Sequence, residues 1–70
     1  MIIKKDTTIE FKKNNEWYRA DVVDLQEENV LLHTFATQPT NAWRYFNSPN
    51  IELVKISEIK EVIEIEKGTV

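Results

Sequence analysis

Few residues of this chain have types and spacings that could carry chemistry. His33 is the only histidine, and there is no cysteine, so a multi-histidine metal site and a thiolate zinc site are both excluded. Nucleophilic catalysis needs a nucleophile, a base and an orienting group, and no serine elbow accompanies His33. The only glycine is Gly68, so a glycine-rich phosphate loop is excluded as well. We therefore expect no enzymatic activity, no metal and no cofactor.

Two further sets of titratable residues have alternative interpretations. Asp21 and Asp24 are three residues apart, which places them on opposite faces of a strand unless a bulge intervenes, and we expect a solvated surface. His33 shares a strand pattern with Leu31 and Phe35. We prefer a position in the core or at a pocket rim for His33. A ligand-contacting or pH-sensing role is the alternative, because histidine titrates near neutrality.

The most informative segment is Trp43-Arg44-Tyr45-Phe46. Side chains alternate between the two faces of a strand, so these three rings cannot all enter one small core. We expect large rings at the surface or at an interface, where Trp, Tyr and Arg are enriched as binding hot spots. Two alternatives remain open. The rings could cap the end of a small core, or they could stack on nucleic acid bases.

The elements that position these residues are mostly strands. Isoleucine, valine, threonine and aromatic residues are frequent, a bias that favours β-structure. Asn14-Asn15 is a plausible tight hairpin turn, and the change in alternation at Val22-Val23 predicts a bulge or bend. A loop is predicted at residues 36–41 and a turn at residues 47–50. Strands are predicted at residues 9–12, 17–25, 30–35, 51–56 and 60–66.

The last third of the chain has two interpretations. We prefer a short helical turn at residues 57–59, followed by a closing or edge strand. A helix over residues 57–67 is the rival, because Ile56, Ile59 and Ile63 have helical spacing. The preferred version gives an all-β domain, a small closed barrel of five to six strands with a short helical turn before the last strand.

Length and charge limit the function classes. Residues 1–70 have room for one domain of marginal stability, and without disulfides we expect homo-oligomerisation to compensate. Nine basic residues stand against twelve acidic ones, giving a net charge of -3. That charge makes a nucleic acid partner less favoured. No apolar stretch approaches the length of a membrane span, and the first residues do not form a signal peptide. We therefore expect a cytoplasmic protein with no membrane partner.

One run of residues resembles a known family. Trp17-Tyr18-Arg19-Ala20-Asp21-Val22 is similar to the second strand of Tudor domains, and Phe11 stands near the family's first-strand aromatic residue. The resemblance implies an SH3-like barrel. Many members of the family hold methylated arginine or lysine in an aromatic cage by cation–π attraction. Matched residue by residue, the cage positions would be Phe11, Tyr18, His33 and Phe35.

The sequence thus predicts a non-enzymatic binding or adaptor module, which includes the possibility of a small inhibitor of a larger protein. Burial of rings against a protein partner would supply the affinity, and Arg44 or Arg19 would supply an oriented cation. The alternative is an oligomeric small-molecule or nucleotide binder with an aromatic pocket between subunits, in which Lys55 could also contact phosphate. A nucleic acid binder of the Sm or Tudor kind is third. The predicted binding residues are Trp43, Arg44, Tyr45, Phe46, Phe11, Tyr18, His33 and Phe35.

Overall fold

The structure, a computed structural model, describes residues 2–66. It contains one antiparallel sheet whose strands are arranged in the order β4-β3-β2-β1-β5. Consecutive strands from β1 to β4 are neighbours, and β5 returns to pair with the other side of β1. The all-β prediction is confirmed. The strands are β1 (Thr8–Lys13), β2 (Glu16–Leu25), β3 (Asn29–Gln38), β4 (Arg44–Lys55) and β5 (Glu61–Ile65).

The sheet is not closed into a barrel. Strands β4 and β5 form its two edges, and no pairing joins them within residues 2–66. The prediction of a closed barrel is therefore wrong. Apolar alternation shows which segments are strands, but closure depends on curvature and on which edges hydrogen-bond, and the alternation does not encode either property.

The β1–β2 hairpin turns where the sequence predicts. Asn14 and Asn15 have φ values of 52° and 64°, the left-handed region that asparagine tolerates better than other residues with a side chain. Two consecutive residues with positive φ are the requirement of a type I′ hairpin turn, whose twist matches that of the flanking strands. This turn fixes the register in which Phe11 lies opposite Tyr18.

The predicted irregularity in β2 is also present. The β2–β3 register shifts between Val22 and Asp24, so Val23 is the extra residue of a bulge. The shift reverses the alternation of faces beyond this point. Leu25 therefore packs against the same core as Val22.

Strands β3 and β4 are longer than predicted. Ala36 and Thr37 pair with β2 on one side and β4 on the other, so the loop predicted at residues 36–41 starts only after Gln38. Strand β4 includes the turn predicted at residues 47–50. Opposite Phe35, residues 46–49 have no β3 partner, and we call this four-residue excursion the β4 bulge.

The chain between β4 and β5 forms a 3₁₀ turn (Ile56–Glu58), one residue earlier than the predicted helical turn. Residues 61–65 are a strand, so the rival helix is wrong for this segment; its last residue, Lys67, lies outside the described residues. Ile59 is 2% exposed and closes the core from this side. The core cluster consists of Ile9, Phe11, Ala20, Val22, Val30, Leu32, Val54 and Ile59.

Candidate functional site

The sheet has two faces of different character. Directly opposed residues of antiparallel strands point to the same face, so the register assigns each side chain. The inner face carries the core cluster. What we call the outer face carries the other set of alternating residues. One row across the outer face is Tyr45, Ala36, Arg19, Glu10 and Ile63, and a second row is Ile51, His33, Asp21, Thr8 and Ile65.

Arg19 is the centre of a polar and aromatic group on the outer face. Its Nε and Nη2 atoms lie 2.9 and 2.8 Å from Oε2 of Glu10, and its Nη1 donates a hydrogen bond to the Tyr45 hydroxyl. The guanidinium carbon lies 4.0 Å from the centroid of the Trp43 ring. A guanidinium held by a carboxylate and a ring face has few alternative orientations. We call Glu10, Arg19, Phe35, Trp43 and Tyr45 the Arg19 cluster.

Phe35 completes the Arg19 cluster. Its ring stacks on the Tyr45 ring, with centroids 6.1 Å apart and an interplanar angle of 22°. The structure therefore brings together three of the predicted binding residues, Phe35, Trp43 and Tyr45. Arg44 precedes Tyr45 and is exposed, and it forms no ion pair with any residue of the described range 2–66. Of the two predicted cations, Arg19 is fixed in place and Arg44 is not.

Large apolar side chains surround the Arg19 cluster on the outer face. Ile51 lies opposite His33, and Leu53 lies opposite Leu31 two residues along β3. The exposed fractions are 61% for Tyr45, 66% for Ile51, 56% for Leu53 and 51% for Ile63. An apolar surface of this kind on a small domain is typical of an interaction site. Ile51, Leu53 and Ile63 are not among the predicted binding residues, because apolar residues in a strand are more often part of the core.

The titratable residues Asp21, Asp24 and His33 lie on this face too. His33 is half-buried between Asp21 and Ile51, its cross-strand partners. The bulge at Val23 brings Asp24 to the same face as Asp21. Both carboxylates have structural hydrogen bonds: Asp21 accepts from the Thr8 hydroxyl at 2.7 Å, and Asp24 accepts from the backbone N–H of Leu25 at 2.9 Å.

The cage positions implied by the Tudor resemblance are not assembled. Phe11 and Tyr18 stack on the inner face, with ring centroids 5.3 Å apart. His33 and Phe35 belong to the outer face, because the β2–β3 register places His33 opposite Asp21. Alignment of single residues gave no information about that register. The structure thus divides the four positions between two faces of the sheet.

A pocket of about 160 Å³ lies on the inner face beside the β4 bulge. Phe46, which belongs to the β4 bulge, lines this pocket together with the stacked rings of Phe11 and Tyr18. The pocket therefore brings together three other predicted binding residues, Phe11, Tyr18 and Phe46. Thr34 also lines it, and its polar rim consists of Lys13, Asn50 and Glu52.

Tyr18 is a titratable side chain of this pocket, and its pKa is raised. Burial is the main cause of a pKa for Tyr18 above its ordinary value, and the charges of Glu16 and Glu52 raise the pKa further. A hydrogen bond to the Glu16 side chain acts in the same direction. Each of these causes disfavours the phenolate. Lys13 supplies a positive charge at the rim of the same pocket.

Within residues 2–66, no three histidine, aspartate or glutamate side chains are grouped to hold a metal ion. The helices of the same range include none with the length and hydropathy to cross a membrane. Comparisons with protein-family models, with curated proteins and with solved structures gave no match for this chain.

Proposed function

We propose that this chain is a non-enzymatic binding module whose outer face engages a protein partner. The observation that carries the proposal is the group of exposed apolar side chains, Tyr45, Ile51, Leu53 and Ile63, on one face of the sheet. Removing such side chains from water stabilises a complex by about 25 cal/mol per Å² of apolar surface. A domain with a small core gains nothing in stability from leaving them exposed.

The Arg19 cluster is a second observation that supports the proposal. Binding costs free energy when side chains must be ordered, and the rings of Trp43 and Tyr45 are already held by Arg19. Tyr45 keeps most of its surface free for contact. Aromatic residues that are already fixed and remain exposed are characteristic of binding hot spots.

The test uses the protein as an immobilised bait in lysate of the cells that encode it, with identification of the retained protein by mass spectrometry. The dissociation constant of the purified pair is then measured for the natural chain, for Tyr45→Ala and for Gln26→Ala. Gln26 is exposed and lies outside the outer-face rows. We expect a loss of at least tenfold for Tyr45→Ala and none for Gln26→Ala. Equal affinities for all three proteins would contradict the proposal.

The pocket on the inner face supports the second candidate, a small-molecule binder. Its volume of about 160 Å³ is below the range of roughly 300–1,000 Å³ typical of sites for drug-sized ligands. A nucleotide would need a second subunit to complete the site, as the homo-oligomer prediction would allow. Native mass spectrometry tests this candidate, because an oligomer that carries a discrete small-mass adduct would favour it over a protein partner.

Three further proposals concern the family, nucleic acid binding and the cellular location of this chain. The order of the strands and the 3₁₀ turn before β5 support a relationship to SH3-like and Tudor domains, without closure of the sheet. Nucleic acid binding remains third, and affinity that does not change with salt would remove it. A cytoplasmic location also stays a prediction.

A further inference from the structure

Strand β4 is an edge of the sheet, and on its far side from β3 it has no strand partner within residues 2–66. The N–H of Ile56 donates to the carbonyl of Glu28 at 2.9 Å, and hydrogen-bonded and non-hydrogen-bonded pairs alternate along an antiparallel ladder. Continuing this alternation through the β3–β4 register gives the orientation of each backbone group. Ile51, Leu53 and Lys55 direct their N–H and C=O groups away from β3, toward the free edge.

The side chains along this edge form two different surfaces. Ile51 and Leu53 lie on the outer face and are more than half exposed. Glu52 lies between them on the inner face, where it lines the pocket with Tyr18 and Phe46. A strand added here would place alternate side chains beside these two surfaces.

Glu52 has no cationic partner within the described chain. The Thr34 hydroxyl lies 3.3 Å from its Oε1 atom, and no lysine or arginine of residues 2–66 forms an ion pair with it. Lys13 lines the same pocket but forms no ion pair with Glu52. A lysine or arginine directly opposite Glu52 in an added strand would be a favourable cross-strand pair.

A second copy of the chain does not meet this requirement. Antiparallel self-pairing of β4 centred on Glu52 would place two Glu52 side chains opposite each other. Pairing centred on Leu53 would place Glu52 opposite Val54. Pairing with the edge of β5 would bring Glu64, which lies on the inner face opposite Ile9, toward Glu52, and this adds negative charge instead of balancing it.

We propose that the free edge of β4 binds an extended segment of a partner protein in which a lysine or arginine lies between two apolar residues. The segment adds to the sheet as a further strand, a recognised mode of peptide binding. Its basic side chain pairs with Glu52 and lays its apolar stem along the rings of the pocket, while the flanking side chains cover Ile51 and Leu53. This inference rests on the proposed function and specifies the chemistry of the partner.

The test is a titration of the ¹⁵N-labelled protein with the acetylated and amidated peptide Ser-Thr-Val-Lys-Val-Thr-Ser, followed by nuclear magnetic resonance. We expect the amide signals of Ile51, Leu53 and Lys55 to shift and their hydrogen exchange to slow. A control peptide with glutamate in place of lysine should bind at least about threefold more weakly, as expected for exchanging opposite charges for like charges. No shift of these amides at about 2 mM lysine peptide, or equal binding of both peptides, would overturn the proposal.

Two variants separate backbone pairing from side-chain contact. Leu53→Pro removes an N–H that points to the free edge and leaves the β3 ladder intact, whereas Leu53→Ala removes the side chain and keeps the N–H. We expect a loss of at least tenfold for Leu53→Pro and a smaller loss for Leu53→Ala. Equal affinities of the two variants would overturn the strand addition.

If Leu53→Pro does not fold, the variant Glu52→Lys provides a second test of the proposal, through the charge pair. This substitution should reverse the preference, so that the glutamate peptide binds more tightly than the lysine peptide, and an unchanged preference would overturn the proposal. A captured partner whose affinity depends on Tyr45, with no change at the β4 edge amides, would contradict the strand addition and leave the proposed function standing.

Discussion

Arg19 and Trp43 are in direct contact although a strand lies between their elements. The guanidinium carbon of Arg19 in β2 is 4.0 Å from the centroid of the Trp43 ring, which immediately precedes β4. Ala36 of β3 lies opposite both Arg19 and Tyr45 and is fully buried. Because Ala36 has only a methyl group, the long Arg19 side chain can reach across β3.

Replacing Arg19 with lysine tests how much the Arg19 cluster depends on the planar guanidinium. We expect Arg19→Lys to lower the free energy of unfolding by about 1–2 kcal/mol, because an ammonium makes neither the paired contact with Glu10 nor the stack on Trp43. The measurement is urea unfolding followed by Trp43 fluorescence in a Trp17→Phe background. The matched control is Arg44→Lys, which should be within about 0.5 kcal/mol of the parent. An equal loss in both variants would contradict the structural role of Arg19.

Trp43→Ala separates a binding role for this ring from a core role. Trp43 is half-buried and is not a member of the core cluster, so the variant should stay folded. We expect its partner affinity to fall by more than about 2 kcal/mol, as for hot-spot aromatic residues. Circular dichroism and titration of the captured partner are the measurements. Loss of the β-sheet spectrum would show instead that Trp43 supports the core.

The raised pKa of Tyr18 gives a pH dependence with a definite sign. Because the folded-state pKa lies above the unfolded value of about 10, the contribution to stability is complete below about pH 10 and is lost as the pH rises through the folded value. We compare the free energy of unfolding of the natural chain with that of Tyr18→Phe. The natural value minus the variant value should therefore become smaller between about pH 8 and about pH 11.5. Urea unfolding of both proteins at each pH measures it. A constant difference across this range would contradict the burial of the Tyr18 hydroxyl beside Glu16 and Glu52.

The hairpin turn offers a matched pair of substitutions at one position. Asn15 has a φ of 64°, which glycine adopts freely and a β-branched residue adopts at a cost of about 1–2 kcal/mol. We expect Asn15→Gly to raise the free energy of unfolding by about 0.5 kcal/mol, since Asn-Gly is preferred in such turns. Asn15→Val should lower it. Thermal unfolding compares the three proteins. An Asn15→Val variant as stable as the natural chain would show that the turn adopts another geometry.

Local features of the fold could be predicted from the sequence because their causes are local. The Asn14-Asn15 turn depends on the φ preference of two residues, and the bulge at Val23 is visible as a change in alternation. The end of β3 was missed for the opposite reason. Ala36 has weak strand propensity, and Thr37 stands close to Pro39, which indicated a loop. Both are strand residues because β2 and β4 pair with them.

The site was less predictable than the strands because it depends on register. Alternation predicted that Trp43, Tyr45 and Phe46 could not all enter the core, but it did not show which of the rings would lie at the surface. Their division between the Arg19 cluster and the inner pocket follows from the β4 bulge at residues 46–49. The sequence indicated a turn at residues 47–50 but not that strand pairing resumes after it. Glu10 and Glu52 were not identified as site residues either. A glutamate in a strand is expected to be solvated unless its cross-strand neighbours are known.

The β4 bulge also divides this strand into two separately paired portions. Pairing with β3 stops after Tyr45 and resumes at Asn50, so the two paired portions of β4 are held independently by β3. The length of the segment between them is therefore not imposed by the ladder. Residues 46–49 form a natural insertion point, where a longer or shorter segment would remodel the rim of the inner pocket while the register of Ile51 to Lys55 and the contacts of the Arg19 cluster stay as they are.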